Sequence, residues 1–199
     1  MTSGSTPRER AKARRHDDLV REAARLFAER GYAGVSLEEL GAAVGVSGPA
    51  VYRHFAGKQA VLGEILLGAS RRLHDGGATV VADAGSPDAQ LRALIAFHVS
   101  FALTGADVIR VQDRDLASLA PEPRHTVRRL QREYVDMWID VLTRLHPGRA
   151  RDDLRVRAHA VFGLMNSTPH AGPGAAGPGA TATSVRGILE QLALAALTA

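Results

Sequence analysis

Apolar residues return every three or four positions along nearly the whole chain, and serine, glycine and proline punctuate the runs. The first run predicts a helix from His16 to Arg30, with Leu19, Ala23, Leu26 and Phe27 on one face and Gly31 stopping it. Ser36 followed by Glu39 has the spacing of a capping box, so a second helix opens there, carries Leu37, Leu40 and Val44, and ends at Gly45. A three-residue turn then leads to a very short helix, Gly48 to His54. Lys58 begins a longer one with Val61, Leu62, Ile65, Leu66 and Leu73, expected either to fray near Gly76-Gly77 or to reach about Ala82.

Ser86-Pro87-Asp88 is another start signal, for a helix from Asp88 to Leu103 with Leu91, Leu94, Ile95, His98 and Ala102 on one face. Residues Ala106 to Leu119 look less regular. After Pro121 and Pro123 a strong stripe follows, made of Val127, Leu130, Tyr134, Met137, Trp138, Val141 and Leu145, and closed by His146-Pro147-Gly148. A helix from Arg151 to Thr168, a flexible glycine–proline loop over Ala171 to Gly179, and an apolar helix from about Thr183 to Leu197 complete the chain. No alternating pattern and no internal repeat is present, so the expected class is all-α. A terminal helix that is apolar around much of its circumference needs burial on more than one side.

The short helix does not fit a core-building role. It buries too little apolar surface to stabilise itself, yet it carries Tyr52, Arg53 and His54 on adjacent positions. Preceded by a helix and a glycine turn, it reads as the second element of a helix-turn-helix offered to a grooved, anionic surface such as DNA. Charge placement agrees. The formal net charge is +4, and residues 1–16 hold five cationic side chains, Arg8, Arg10, Lys12, Arg14 and Arg15, against the single acid Glu9. Such a segment is either a solvated tail or an arm drawn to phosphates, with minor-groove insertion one option.

Composition narrows the alternatives. An apolar content of 45% excludes wholesale disorder. The absence of cysteine excludes disulfides, thiol catalysis and cysteine-ligated zinc. No secretory leader and no bilayer-length apolar run is evident, so a cytoplasmic location with no membrane partner is expected.

The first 70 or so residues resemble the DNA-binding domain of the TetR family of bacterial transcriptional regulators. The likeness runs through Leu26-Phe27, Gly31-Tyr32, Ser36, Leu40-Gly41-Ala42, Val44-Gly45-Val46-Ser47, Ala50-Val51-Tyr52-Arg53-His54-Phe55, Lys58 and Leu62. Ser36 stands where threonine is commoner, and Leu40-Gly41 replaces the frequent Ile-Ala; serine caps a helix and meets phosphate much as threonine does. The resemblance implies a basic flexible arm over residues 1–15, a helix-turn-helix domain over 16–60, and a helical effector-binding and dimerisation domain over 61–199. It implies a homodimer bound to a double-stranded palindromic operator, with the interface on the last two long helices. It also implies phosphate contacts from Ser36, Tyr52, His54 and Lys58, and base-edge contacts from Ser47, Gly48, Pro49, Ala50 and Arg53. Asp113 to Leu116, the helix of Tyr134 and Trp138, and Gly163 to His170 are similar to actinobacterial members linked to fatty-acid or acyl-CoA metabolism.

In the second domain the candidates for a small, largely hydrophobic effector are His98, Phe101, Arg110, Tyr134, Trp138, Phe162, Asn166 and His170. Pockets combine apolar walls with a few placed polar groups, and these residues supply both. Each also has a plain structural reading: core aromatics, a satisfied core histidine, a solvated salt bridge, a helix cap. His98 has no paired His or Glu at metal-ligand spacing, so no metal and no cofactor is expected. No nucleophile elbow, P-loop or dinucleotide fingerprint is present, so the chain is not expected to be an enzyme. The reading is a ligand-released repressor; the alternatives are a DNA-binding architectural protein without an effector, or a helical enzyme carrying a borrowed head.

Overall fold

A computed structural model describes residues 6–167 and 182–199, and among these every regular element is a helix. The elements are α1 (Pro7–Arg30), α2 (Leu37–Ala43), α3 (Gly48–Val51), α4 (Lys58–Asp83), α5 (Pro87–Thr104), α6 (Ala106–Asp115), a single 3-10 turn at Leu116–Ser118, α7 (Pro121–Leu145), α8 (Arg151–Met165) and α9 (Ala182–Thr198). The glycine–proline stretch and His170 lie outside the described residues.

The caps explain the boundaries. Ser36 accepts from the Glu39 backbone N–H at 3.1 Å while the Glu39 carboxylate receives the Ser36 N–H at 2.8 Å, so α2 starts with both orphan donors satisfied. Gly45 adopts φ +70°, the left-handed backbone that the turn between α2 and α3 requires. Helix α3 is shorter than its sequence suggests. It is regular only to Val51, and hydrogen-bonded turns carry the chain on to Phe55.

Two expectations need correcting. The flexible arm expected over residues 1–15 is instead helical from Pro7 onward, continuous with α1. Thr6 accepts from the Glu9 N–H at 3.2 Å and the Thr6 N–H reaches the Glu9 carboxylate at 2.6 Å, a capping box with Pro7 in the first turn. Helix-favouring Ala, Arg and Lys then fill the stretch to His16, with no glycine or β-branched residue to interrupt it. Residues 106–115, expected to be less regular, form α6, with Ile109, Val111 and Asp115 buried.

Helix α4 crosses the 60/61 border without a break and passes straight through Gly76-Gly77. The apolar interior forms two clusters. One gathers α1, α2, α3 and the first turns of α4 around Phe27, Leu40, Val51 and Leu62, and is completed by Val111, Leu119 and Val127 from the second half of the chain. The other packs α5, α7, α8 and α9 around Trp138, Leu94, Leu142 and Leu154. No single helix among the described residues is long and apolar enough to cross a membrane.

Candidate nucleic-acid interface and effector core

The α2–turn–α3 unit rests on Val51 and Phe55, both buried, and turns Tyr52 outward with 55% of its surface exposed. Arg53 and Pro49 are also exposed, and so is Ser47, whose hydroxyl makes no capping bond. Gly48 is half-buried beside Glu38. Ala50 does not belong with these. It is buried in the head, so its methyl does not face outward to meet a base.

Lys58 has a structural task that its sequence position does not reveal. Its ammonium donates to the carbonyls of Val35 at 2.9 Å and Ala33 at 3.4 Å, and sits 4.5 Å from the centroid of the Tyr32 ring. It therefore pins the loop between α1 and α2, and one N–H remains for any outside acceptor. Ser36, half-buried, caps α2 through its oxygen and keeps its own O–H to donate.

His54 is half-buried against α1. Burial lowers its proton affinity, and the charges of His16, Lys12, Arg53 and Arg15 lower it further. Its ring centroid lies 5.8 Å from that of His16, which stacks on Phe55 at 4.9 Å and bonds the Glu64 carboxylate. Because α1 is helical from Pro7, Lys12 and Arg15 project from a rigid rod beside α3.

In the second cluster, five of the effector candidates do come together. His98 lies between Tyr134 and Asn166: Nδ1 to the phenol oxygen at 3.2 Å and Nε2 to Asn166 Oδ1 at 3.1 Å. The amide oxygen can only accept, so Nε2 carries the proton and the Tyr134 hydroxyl donates to Nδ1. Both ring nitrogens are thus occupied, which leaves none for a metal. Burial depresses the His98 pKa to about 4, with the Asn166 bond opposing it weakly, so the ring is neutral near pH 7. Burial likewise raises the Tyr134 phenol.

Phe162 and Trp138 close the aromatic box, their centroids 5.0 Å apart in an edge-to-face arrangement. The Trp138 indole N–H is buried without a hydrogen-bond partner. It lies near the Tyr134 hydroxyl without the geometry of a bond.

Two other candidates are not drawn into this box. Phe101 touches His98 only obliquely, at 6.3 Å between centroids. It lies beneath Arg72 and lines a separate groove of about 600 Å³ between α1, α4, α5 and α6. Arg110, midway along α6, pairs with Asp107 at 3.3 Å.

Arg114 and Asp115, in the charged run between apolar helices, tie α6 to the end of α1. Arg114 donates to the backbone carbonyls of Phe27 and Ala28 in the last turn of α1, the former already accepting from the Gly31 N–H at 2.8 Å, and Asp115 accepts from the Tyr32 N–H at 3.3 Å. Asp115 is buried and paired with Arg114 at 3.1 Å. An Arg-Asp dipeptide at the end of an amphipathic helix is the only trace this clasp leaves in the sequence.

Residues 19–65 match the family described as bacterial regulatory proteins, tetR family, and residues 84–170 match the tetracyclin repressor-like C-terminal domain. The chain belongs to the TetR family. Among its relatives is the HTH-type transcriptional repressor KstR2 of Mycobacterium tuberculosis, 30% identical over 147 residues that span 71% of this chain and 72% of KstR2. A TetR-family regulator from Bordetella parapertussis shares the fold with a TM-score of 0.79 at 24% identity, over 90% of this chain and 93% of its own. So does AibR, crystallised with isovaleryl coenzyme A and operator DNA, with a TM-score of 0.71 at 20% identity over 90% and 96% of the two chains. This TetR-family protein is thus a helix-turn-helix transcriptional regulator, not an enzyme.

Proposed function

We propose that the protein is a homodimeric repressor that docks α3 of each protomer into the major groove of a palindromic operator and is released by a hydrophobic effector bound at the His98 box. The observation that carries the DNA half is the outward Tyr52–Arg53 pair on a turn whose other side is fixed by Val51 and Phe55. A tyrosine half in water on a helix-turn-helix, next to a basic helix, offers a phenol and an aromatic face to a phosphate or base edge. Exposed Ser47 and Pro49, with half-buried Gly48 between them, precede it in the chain and would face the base edges beside it.

Pairing is supported by a second exposed feature. Val156 on α8 and Ile188 and Leu192 on α9 are apolar and open to solvent, at 69%, 55% and 48% of their surfaces. Together they mark the face on which two copies would join, in keeping with a terminal helix that needs burial on two sides. Two symmetric heads then meet half-sites about one helical turn, ~34–36 Å, apart.

The effector reading draws on the box. Phe162, Tyr134 and Trp138 supply apolar walls, while the Asn166 amide N–H₂ and the partnerless indole N–H supply donors toward which a carbonyl or hydroxyl could turn. The isovaleryl coenzyme A bound by AibR and the ketosteroid regulator KstR2, which shares the fold at a TM-score of 0.77, support a hydrophobic ligand of acyl or comparable character. An effector lowers DNA affinity only by as much as it prefers the non-binding arrangement of heads.

The test is fluorescence anisotropy with a duplex covering the chain's own upstream region. Tyr52→Ala is expected to weaken binding about tenfold or more while leaving the melting temperature unchanged, and a panel of acyl-CoAs is expected to release the wild-type complex. Binding by Tyr52→Ala at wild-type affinity would refute the docking. Release by none of the panel would remove the acyl-CoA assignment and leave the docking in place.

A further inference from the structure

The first residue of α3 is a glycine, and a neighbour stands where its side chain would begin. A Cβ on Gly48 would lie 3.5 Å from Glu38 Cγ and 4.0 Å from its Oε1. The direction of that Cβ is informative. The Tyr52 N–H bonds the Gly48 carbonyl at 3.4 Å, so the two residues sit one helical turn apart on the same face. That is the face on which Tyr52 is open to solvent. Glu38 therefore reaches across from α2 and lays a carboxylate at the start of the docking face.

This carboxylate has no internal task of the kind its neighbour has. Glu39 bonds the Ser36 N–H in the α2 cap and pairs with Arg30 at 3.0 Å. Glu38 is exposed and makes no hydrogen bond or ion pair among the described residues. Both acids lie in the first turn of α2 and gain from the partial positive charge there, a gain that is indifferent to which side of the helix they occupy. Glu38 occupies the side that meets α3.

We propose that Glu38 is a base-specificity residue, whose carboxylate accepts the N4 amino group of a cytosine in the major groove at one position of each half-site. The inference rests on the DNA-docking reading above and brings into it a reader from outside α3. The base follows from what each one presents in the groove. Guanine shows N7 and O6 and thymine shows O4, all acceptors that repel a carboxylate. Adenine sets the N7 acceptor beside its amino group. Cytosine alone presents a donor with no acceptor next to it. The same negative charge repels the phosphates of every duplex, so Glu38 lowers general affinity while it sharpens discrimination.

The experiment is selection from a pool of randomised duplexes with the full chain, as wild type and as Glu38→Ala, Glu38→Gln and Glu122→Ala. The last removes an exposed acid at the start of α7 and serves as the control. Wild type is expected to enrich a site with one fixed cytosine in each half, and thymine in its place is expected to weaken anisotropy titrations about tenfold per half-site. Glu38→Ala is expected to lose selectivity at that position alone, while binding a mixed-sequence duplex at least as tightly as wild type. Glu38→Gln is expected to move the preference toward adenine, whose N6 and N7 suit an amide. Glu122→Ala is expected to select as wild type does.

A Glu38→Ala protein that still selects the wild-type sequence, cytosine included, overturns the assignment. So does one whose affinity rises equally on every duplex, because Glu38 then only repels phosphates, and so does one that melts lower with unchanged selection, because the residue then serves α2 alone. Each of these results leaves the docking reading standing. Wild type that enriches no sequence and binds no duplex removes that reading first, and the base assignment with it.

Discussion

Two glycines on α4 make opposite predictions for the same substitution. At Gly68 a methyl group would meet nothing within 4 Å, whereas at Gly77 it would lie 2.6 Å from Tyr134 Cε2 and 3.2 Å from Met137 Sδ. Both sit in the interior of one continuous helix, so each Gly→Ala change gains the same helix propensity, about 1 kcal/mol. At Gly68 nothing offsets that gain. At Gly77 the obstructing atoms belong to a ring that is buried and tied by its hydroxyl to His98, so it cannot swing away as an exposed side chain would. Overpacking of this kind costs about 1–3 kcal/mol.

The expected outcome is that Gly68→Ala raises the melting temperature by about 2–4 °C and that Gly77→Ala melts about 2–12 °C below it, since 1 kcal/mol moves a chain of this size by about 2–4 °C. Thermal denaturation followed by circular dichroism at matched protein concentration reads the gap, and matching is needed because association adds to apparent stability. A Gly77→Ala protein as stable as Gly68→Ala would show that Tyr134 does not press on α4, and with it the packing of the His98 box against this helix would be wrong.

Other substitutions test separate parts of the molecule. Lys58→Ala is expected to lower the melting temperature as well as DNA affinity, because it releases the Ala33 and Val35 carbonyls; a variant that loses DNA binding at full stability would show that the lysine serves phosphate alone. Ile188→Glu or Leu192→Glu is expected to yield monomers in sedimentation, and dimers of undiminished affinity would place the interface elsewhere. Protonation of His98 gives a pH signature: its folded pKa of about 4 lies below the unfolded 6.5, so the unfolded chain binds the proton first and stability falls as pH drops through that window. The loss should be on the order of 1 kcal/mol per pH unit, and His98→Gln should abolish that part of the slope.

Helix periods, caps and the helix-turn-helix were open to reading because they depend on neighbours in sequence. Ser36 with Glu39, Gly45 between two short helices and the stripe from Val127 to Leu145 all act locally. The capping box at Thr6 and Glu9 is equally local, but the density of arginine around it reads as a flexible basic arm. The burial of Ala50 and the structural bonds of Lys58 were hidden for the opposite reason. What they touch, the head interior and the Val35 carbonyl, comes from chain that folds back from elsewhere, and no spacing rule records it. The His98–Tyr134–Asn166 chain joins residues 36 and 68 positions apart, so candidates could be named but not the bonds between them. Arg110 carried the same sequence signal as Arg114, and only the fold separates a surface pair from a clasp.

The arrangement of the clasp bears on how a signal could travel. The head is not a bead on a string: Val111 and Leu119 from around α6 and Val127 from α7 are wholly or almost wholly buried in the same cluster as Phe27 and Leu62. Rotating the head independently would expose that surface, at about 25 cal/mol for each Å² uncovered. It would also strip Asp115 of the Tyr32 N–H and leave a buried carboxylate short of a partner. Motion of the head is therefore tied to motion of α4 and α6. Helix α4 also reaches the His98 box, where Gly77 packs against Tyr134, so under the proposed effector reading a ligand that displaces Tyr134 would press on the same helix whose first turns carry the head.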